Sequence, residues 1–167
     1  MARVLMPMSM LSLVSTGAIF GFFYAWVCST MWGLDAADPR VAIQAMQAMN
    51  ASVRNPVFFP AFFLTPVILA LTAAIAARQN RSRAAALFLA SAVIYAAGAL
   101  LVTAIVNVPM NDALAQVSVP TDSVAATEIW LAYSTPWQFW NTFRTLVSGL
   151  ALLLTGIAIF FLNPETD

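Results

Sequence analysis

The sequence predicts an all-α integral membrane protein, a four-helix bundle with two outer loops that carry short amphipathic helices. Three observations lead there. Of 167 residues 62% are hydrophobic and only 8% are charged, well outside the balance of a soluble domain of this length. The apolar residues gather into four runs, each long enough to cross roughly 30 Å of hydrocarbon. Between the runs lie proline, asparagine and aspartate, residues that break or cap helices. Formal net charge is zero, there is no Lys and there is no basic block, so nucleic acid has nothing to bind electrostatically.

We place the spans at about 9–32, 57–77, 84–106 and 137–162, within a single membrane domain covering 1–167. The first follows Arg3, but its apolar run from Met6 to Trp32 is too long for a signal h-region and shows no convincing small-x-small cleavage site before the charged residues. It carries Gly17-x-x-x-Gly21, a pattern that lets a neighbouring helix approach closely, and aromatics at its far end, Tyr24 and Trp26 among them. Asp38-Pro39 then reads as an N-cap with proline at the first helical position, opening a short helix to about Val53. Gln44, Gln47, Asn50 and Arg54 fall on one side of it and Met46, Met49 and Val53 on the next, so it suits a lid lying across the membrane surface.

Asn55-Pro56 ends the lid, and the second span follows with Pro60 and Pro66 as expected kinks. Arg78, Arg81 and Arg83 crowd the turn before the third span. Cytoplasmic loops carry the arginine excess, so this turn and both termini are expected inside and the two longer connections outside. The third span ends in Thr103, Asn107, Pro109, Asn111 and Asp112. Pro109 is expected to stop or bend the helix and leave Asn111 and Asp112 just beyond it. The second outer loop should hold a short helix from Asp122 to Tyr133, carrying Glu128 and Trp130, before Pro136 begins the last span.

The last span is the most informative. At 100° per residue, Trp137, Asn141, Arg144, Ser148 and Thr155 share a narrow arc, while Phe139, Phe143, Leu146, Leu150, Leu153 and Ile157 take the opposite side. A guanidinium about 10 Å along the helix from Trp137 needs a partner or a route back to the interface. Asp112 is the nearest acidic candidate in the sequence. With Asn50, Asn107, Asn111 and Asn141 it would place polar side chains around one hollow, and polar groups at membrane depth point to function; helix capping or a turn accounts for Asn107, Asn111 and Asp112 equally well. Trp137, Trp140 and Tyr24 are the candidates to hold an aromatic ligand; an interfacial aromatic belt or plain core packing accounts for the same rings.

The chemistry available is narrow. There is no His and a single Cys, Cys28, so His-ligated haem, zinc sites, His-dependent catalytic triads and a dithiol relay are all excluded. Asp35, Asp38, Asp112, Asp122 and Glu128 match no cation-binding loop, so no metal is expected.

Four segments carry a resemblance: Gly21-Phe-Phe-Tyr24-Ala-Trp26, Ala45-Met46-Gln47-Ala-Met-Asn50, Asn107-Val108-Pro109-Met110-Asn111 and Trp137-x-x-Trp140-Asn141-x-x-Arg144. Together, over nearly the whole chain, they resemble the anthrone oxygenase-like family of small four-helix membrane proteins. The resemblance implies cofactor-independent oxygenation, in its fungal polyketide members the conversion of an anthrone to an anthraquinone. On that reading Arg144, Asp112, Asn107 and Asn141 are the catalytic candidates, with Asp112, or else Glu128, as base. Trp137, Trp140, Asn111, Asn50 and Tyr24 would bind the substrate. The implied partners are an aromatic small molecule and dioxygen, with membrane lipid around the protein and room for a homo-oligomer. Without His, the proton acceptor must be a carboxylate, a tyrosinate or water. The rival reading is a non-catalytic membrane module that binds a quinone, a lipid or a partner protein, its polar cluster merely joining helices.

Overall fold

The computed structural model describes residues 2–162, with side chains from Val4 onward; the side chain of Arg3 and residues 163–167 lie outside the described residues. Five helices account for nearly all of it. Helix α1 runs over Ala2–Ala25 and continues through a wide π turn, Trp26–Thr30, into Met31–Asp35. The lid, α2, is Pro39–Ser52, and α3 is Phe58–Arg78. Helix α4 starts as Ser82–Tyr95, passes through π turns at Ala96–Leu101 and Thr103–Asn107, and ends as Val108–Ala115. Helix α5 is Ser123–Phe160. Four of the five, all but the lid, are long and apolar enough to cross a bilayer.

Two expected breaks are absent. Helix α5 is one helix of 38 residues, with Pro136 inside it and the predicted loop helix forming its first turns. At about 1.5 Å per residue it is roughly 57 Å long, so it rises well beyond the hydrocarbon region. Likewise α4 does not stop at Pro109. The preceding π turn widens the helix where the proline ring would otherwise meet the carbonyl one turn back, and the chain continues helically to Ala115. Pro60 falls in the first turn of α3, where a missing N–H costs little, and only Pro66 lies in that helix's interior.

Pro66 leaves the carbonyl of Phe62 without its helical donor, and the structure supplies one from another helix: the Tyr95 hydroxyl on α4 donates to Phe62 O at 2.9 Å. Small hydroxyls join the other helices, Ser12 with Thr72 between α1 and α3 and Ser91 with Thr155 between α4 and α5, each at 2.9 Å. Close approach does not come from the glycine pattern in α1, since a Cβ at Gly21 would meet nothing and one at Gly17 would touch Leu152 at an ordinary 3.8 Å. The tight crossing is elsewhere, at Gly98 of α4, where a Cβ would stand 2.8 Å from the Val147 side chain of α5.

The core has three layers. At the turn end, Leu5, Leu69, Phe88 and Ala158 pack together, and Ile19, Phe23, Phe62, Tyr95 and Ala151 fill the middle. The third layer is made by the lid: Ala42, Ile43 and Met46 are buried against Leu114, Trp130, Tyr133 and Trp137. The lid therefore caps the bundle by packing onto the risen part of α5. Its polar side is fixed too, because Gln47 donates to the carbonyls of Leu114 and Val117 at 2.8 and 2.9 Å. Asp38 caps the lid as predicted, accepting from the Arg40 backbone, and the hydrogen bond from the Arg40 side chain holds its carboxyl at about 2.

Candidate functional site

The arc on α5 faces inward over its whole length. Trp137, Asn141, Arg144, Ser148 and Thr155 are buried, whereas Phe139, Phe143, Leu146, Leu150, Leu153 and Ile157 are exposed on the outside of the bundle. Helical periodicity fixes this division, and the neighbours on α1 and α4 complete it.

Arg144 is 4% exposed, and its contacts define the site. One terminal nitrogen donates to Thr103 Oγ1 of α4 and the other to Asn141 Oδ1, both at 3.0 Å. Asn141 in turn donates to the Phe23 carbonyl at 3.1 Å, a carbonyl close to the π turn that ends the regular part of α1. The guanidinium carbon stands 4.5 Å from the Phe23 ring centre and 5.5 Å from that of Trp137, so aromatic faces cover the cation. Its Nε has no hydrogen-bond partner.

Above this group lies a cavity of about 170 Å³. Phe22, Phe23 and Trp26 of α1 line one side, Met49 and Asn50 of the lid the roof, Phe58, Phe59, Phe62 and Phe63 of α3 the other side, and Thr103, Val108 and Asn111 of α4 the back. Trp137, Asn141 and Arg144 form the base, and Arg54 stands at the rim. A second polar network braces the roof. Asn111 Oδ1 accepts from the Tyr133 hydroxyl at 2.8 Å and from Trp137 Nε1 at 3.0 Å, and Asn50 donates to the same hydroxyl at 3.3 Å. Asp35 at the end of α1 accepts from Trp130 Nε1 and Gln138 Nε2, each at 2.9 Å, which ties α1 to α5 beside the lid. Helices α3 and α4 pack along Ser82–Tyr95 but scarcely past Leu101. Toward the lid the two helices separate, and the half-exposed Phe59 and Phe63 line the cavity there.

Of the residues expected at the site, Trp137, Asn141, Arg144, Asn50 and Asn111 are brought together around the cavity. Asp112 is not. It is exposed and paired with Arg54, because α4 continues through Pro109 and one helical step turns Asp112 away from Asn111. The expected Arg144–Asp112 ion pair is therefore replaced by the neutral acceptors Thr103 and Asn141. Glu128 is exposed and does not line the cavity. Tyr24 is 49% exposed and stacks on Phe20 along the outside of α1; its neighbour Phe23 is the ring that faces inward. Trp140 sits edge-on to Phe139 and Phe143, away from the cavity. Asn107 is buried at 1% exposure, yet it does not line the cavity and neither of its amide atoms has a hydrogen-bond partner. Thr103 was legible only as one of the residues that end the third span. The four phenylalanines of α3 gave no signal, since in a membrane span such rings read as lipid-facing or core. Among the described residues no group of three or more Cys, Asp or Glu side chains could hold a metal ion.

Fold and site together define a small helical membrane protein with an aromatic, roofed cavity over a buried guanidinium. The chain belongs to the anthrone oxygenase family, whose profile matches residues 49–154. That stretch takes in Asn50, Arg54, Asn111, Trp137, Asn141 and Arg144, while Phe22, Phe23 and Trp26 of α1 lie outside it. No curated protein and no solved structure matches the chain.

Proposed function

We propose that the protein is a membrane-embedded oxygenase that converts an anthrone-type or related phenolic substrate without a metal or an organic cofactor, using the cavity above Arg144. The observation that carries the reading is a guanidinium buried against Phe23 and Trp137 at the base of an otherwise aromatic pocket. An anthrone ionises to an enolate whose negative charge sits on its carbonyl oxygen. Arg144 would hold that oxygen, and preorganised donors of this kind are worth about 3 to 4 kcal/mol each. Phe58, Phe62 and Trp26 would sandwich the rings.

The electrons balance without a helper. The ionised ring carbon gives one electron to dioxygen, and the resulting radical pair combines to form a carbon–oxygen bond. Protonation gives a hydroperoxide, and loss of water across that carbon leaves a ketone. A methylene and one dioxygen thus become a carbonyl and one water, a four-electron oxidation. The protein's part is to bind the enolate, orient its rings and keep bulk water away from the peroxide. Family membership and the four apolar helices support a membrane location.

The test is oxygen uptake by purified protein with anthrone, measured against the detergent blank, in enzyme free of metal and flavin by elemental and absorbance measurements. Uptake with formation of one anthraquinone per dioxygen is expected. Uptake no faster than the blank, across a panel of phenolic substrates, refutes the reading.

A further inference from the structure

A cation buried in a membrane bundle is normally paired with an anion, and among the described residues Arg144 has none. Its two hydrogen bonds go to uncharged oxygens, its Nε has no partner, and rings cover its faces. No element around it turns an acid toward it. Helix α1 brings Phe22, Phe23 and Trp26, and its Asp35 is turned to Trp130 and Gln138. The lid brings Asn50 and, after its end, Arg54, a second cation. Helix α3 brings only phenylalanines. Helix α4 brings Thr103, Val108 and Asn111, and its Asp112 is paired with Arg54. On α5, Tyr133 donates its hydroxyl proton to Asn111. Among the described residues no carboxylate lines the cavity.

We infer that the cavity takes its aromatic ligand as a monoanion, a phenolate, enolate or ring carboxylate whose oxygen meets Arg144, and that no side chain of the site acts as the base. The ligand's O–H or C–H bond breaks with its electron pair kept by the ligand, and the proton passes to bulk water at the rim beside Arg54. The negative oxygen then supplies the charge that the bundle leaves missing around Arg144. Selection is consequently by acidity: among ligands of one shape, the more acidic binds at lower pH, and a methyl ether that cannot ionise is rejected. This rests on the reading of the cavity as a site for an aromatic small molecule, and it is independent of any reaction with dioxygen.

The experiment is equilibrium dialysis under nitrogen, with the full chain in lipid nanodiscs and empty nanodiscs as the partition control. The probes are naphthol, its more acidic nitro derivative and its methyl ether, each followed across pH. Two titration midpoints are expected, separated by the difference in acidity of the two naphthols. The ether should bind roughly tenfold to hundredfold more weakly than the naphtholate, the range for a hydrogen bond to a charged group. In Arg144→Gln the ether and the naphthol should bind alike; if that variant does not fold, the comparison of the three probes on the natural protein decides alone. One midpoint common to both naphthols would mean that a protein group titrates, and it overturns the proposal, as does equal affinity for ether and naphtholate. Binding of none of the probes overturns it together with the aromatic-site reading. Binding of the anion by a protein that shows no oxygen uptake upholds it while refuting the oxygenase.

Discussion

Arg144 concentrates the residue-scale chemistry. Its planar fork reaches Thr103 on one helix and Asn141 on its own, while its faces lie against two rings, and an ammonium can reproduce neither feature. Arg144→Lys should therefore keep the fold and lose turnover by about a hundredfold, the cost of removing one oxyanion donor. Steady-state oxygen uptake compared with thermal unfolding of the same preparation checks this, and unchanged turnover removes Arg144 from the reaction. Asp112→Asn should leave turnover within about twofold, since this carboxylate is engaged with Arg54 and does not line the cavity. The inward arc of α5 was legible because one period governs one helix. Asp112 and Tyr24 were misplaced because each is a single 100° step from the residue that does face the cavity, Asn111 and Phe23. For Asp112 that step depends on whether α4 continues past Pro109, as it does.

Elements in this protein are shaped by what their prolines leave undone. The Phe62 carbonyl, freed by Pro66, is satisfied by Tyr95 from across the bundle, so the two residues should be energetically coupled. Tyr95→Phe is expected to cost about 1 kcal/mol of unfolding free energy, and next to nothing in a Pro66→Ala background where the helix regains its own donor. Equal costs in both backgrounds, measured by denaturation in mixed micelles, would show that the hydroxyl does something else. At the lid, Asp38 tests a smaller device. Its carboxyl, ordinarily titrating near 3.8, is held at about 2 by Arg40, so the cap is fully charged above 3.8 and is lost only as pH falls through 2. Carboxyl-carbon NMR should find that low midpoint and see it rise toward 3.8 in Arg40→Gln. The cap was readable from Asp38-Pro39 because capping is local chemistry. Tyr95's role was not, because it links two spans whose relative rotation no local pattern fixes.

For the whole molecule, charge is divided between the two ends of the bundle. Arg78, Arg81 and Arg83 sit at the turn between α3 and α4, without an acidic residue among them. Asp35, Asp38, Asp112, Asp122 and Glu128 sit at the lid end with Arg40 and Arg54. By the positive-inside rule the arginine excess predicts the turn toward the cytoplasm, which would open the cavity and its rim in the opposite half of the membrane. A hydrophobic substrate would reach Arg144 from that leaflet, and a proton lost at the rim would go to the outer aqueous phase. In a Cys28→Ser background, Gln116→Cys near the lid should react with a membrane-impermeant maleimide on intact cells. Ser82→Cys at the turn should react only after the cells are opened. The reverse pattern would put the lid inside, place the arginine turn against the positive-inside rule, and require the substrate to be taken from the cytoplasmic leaflet.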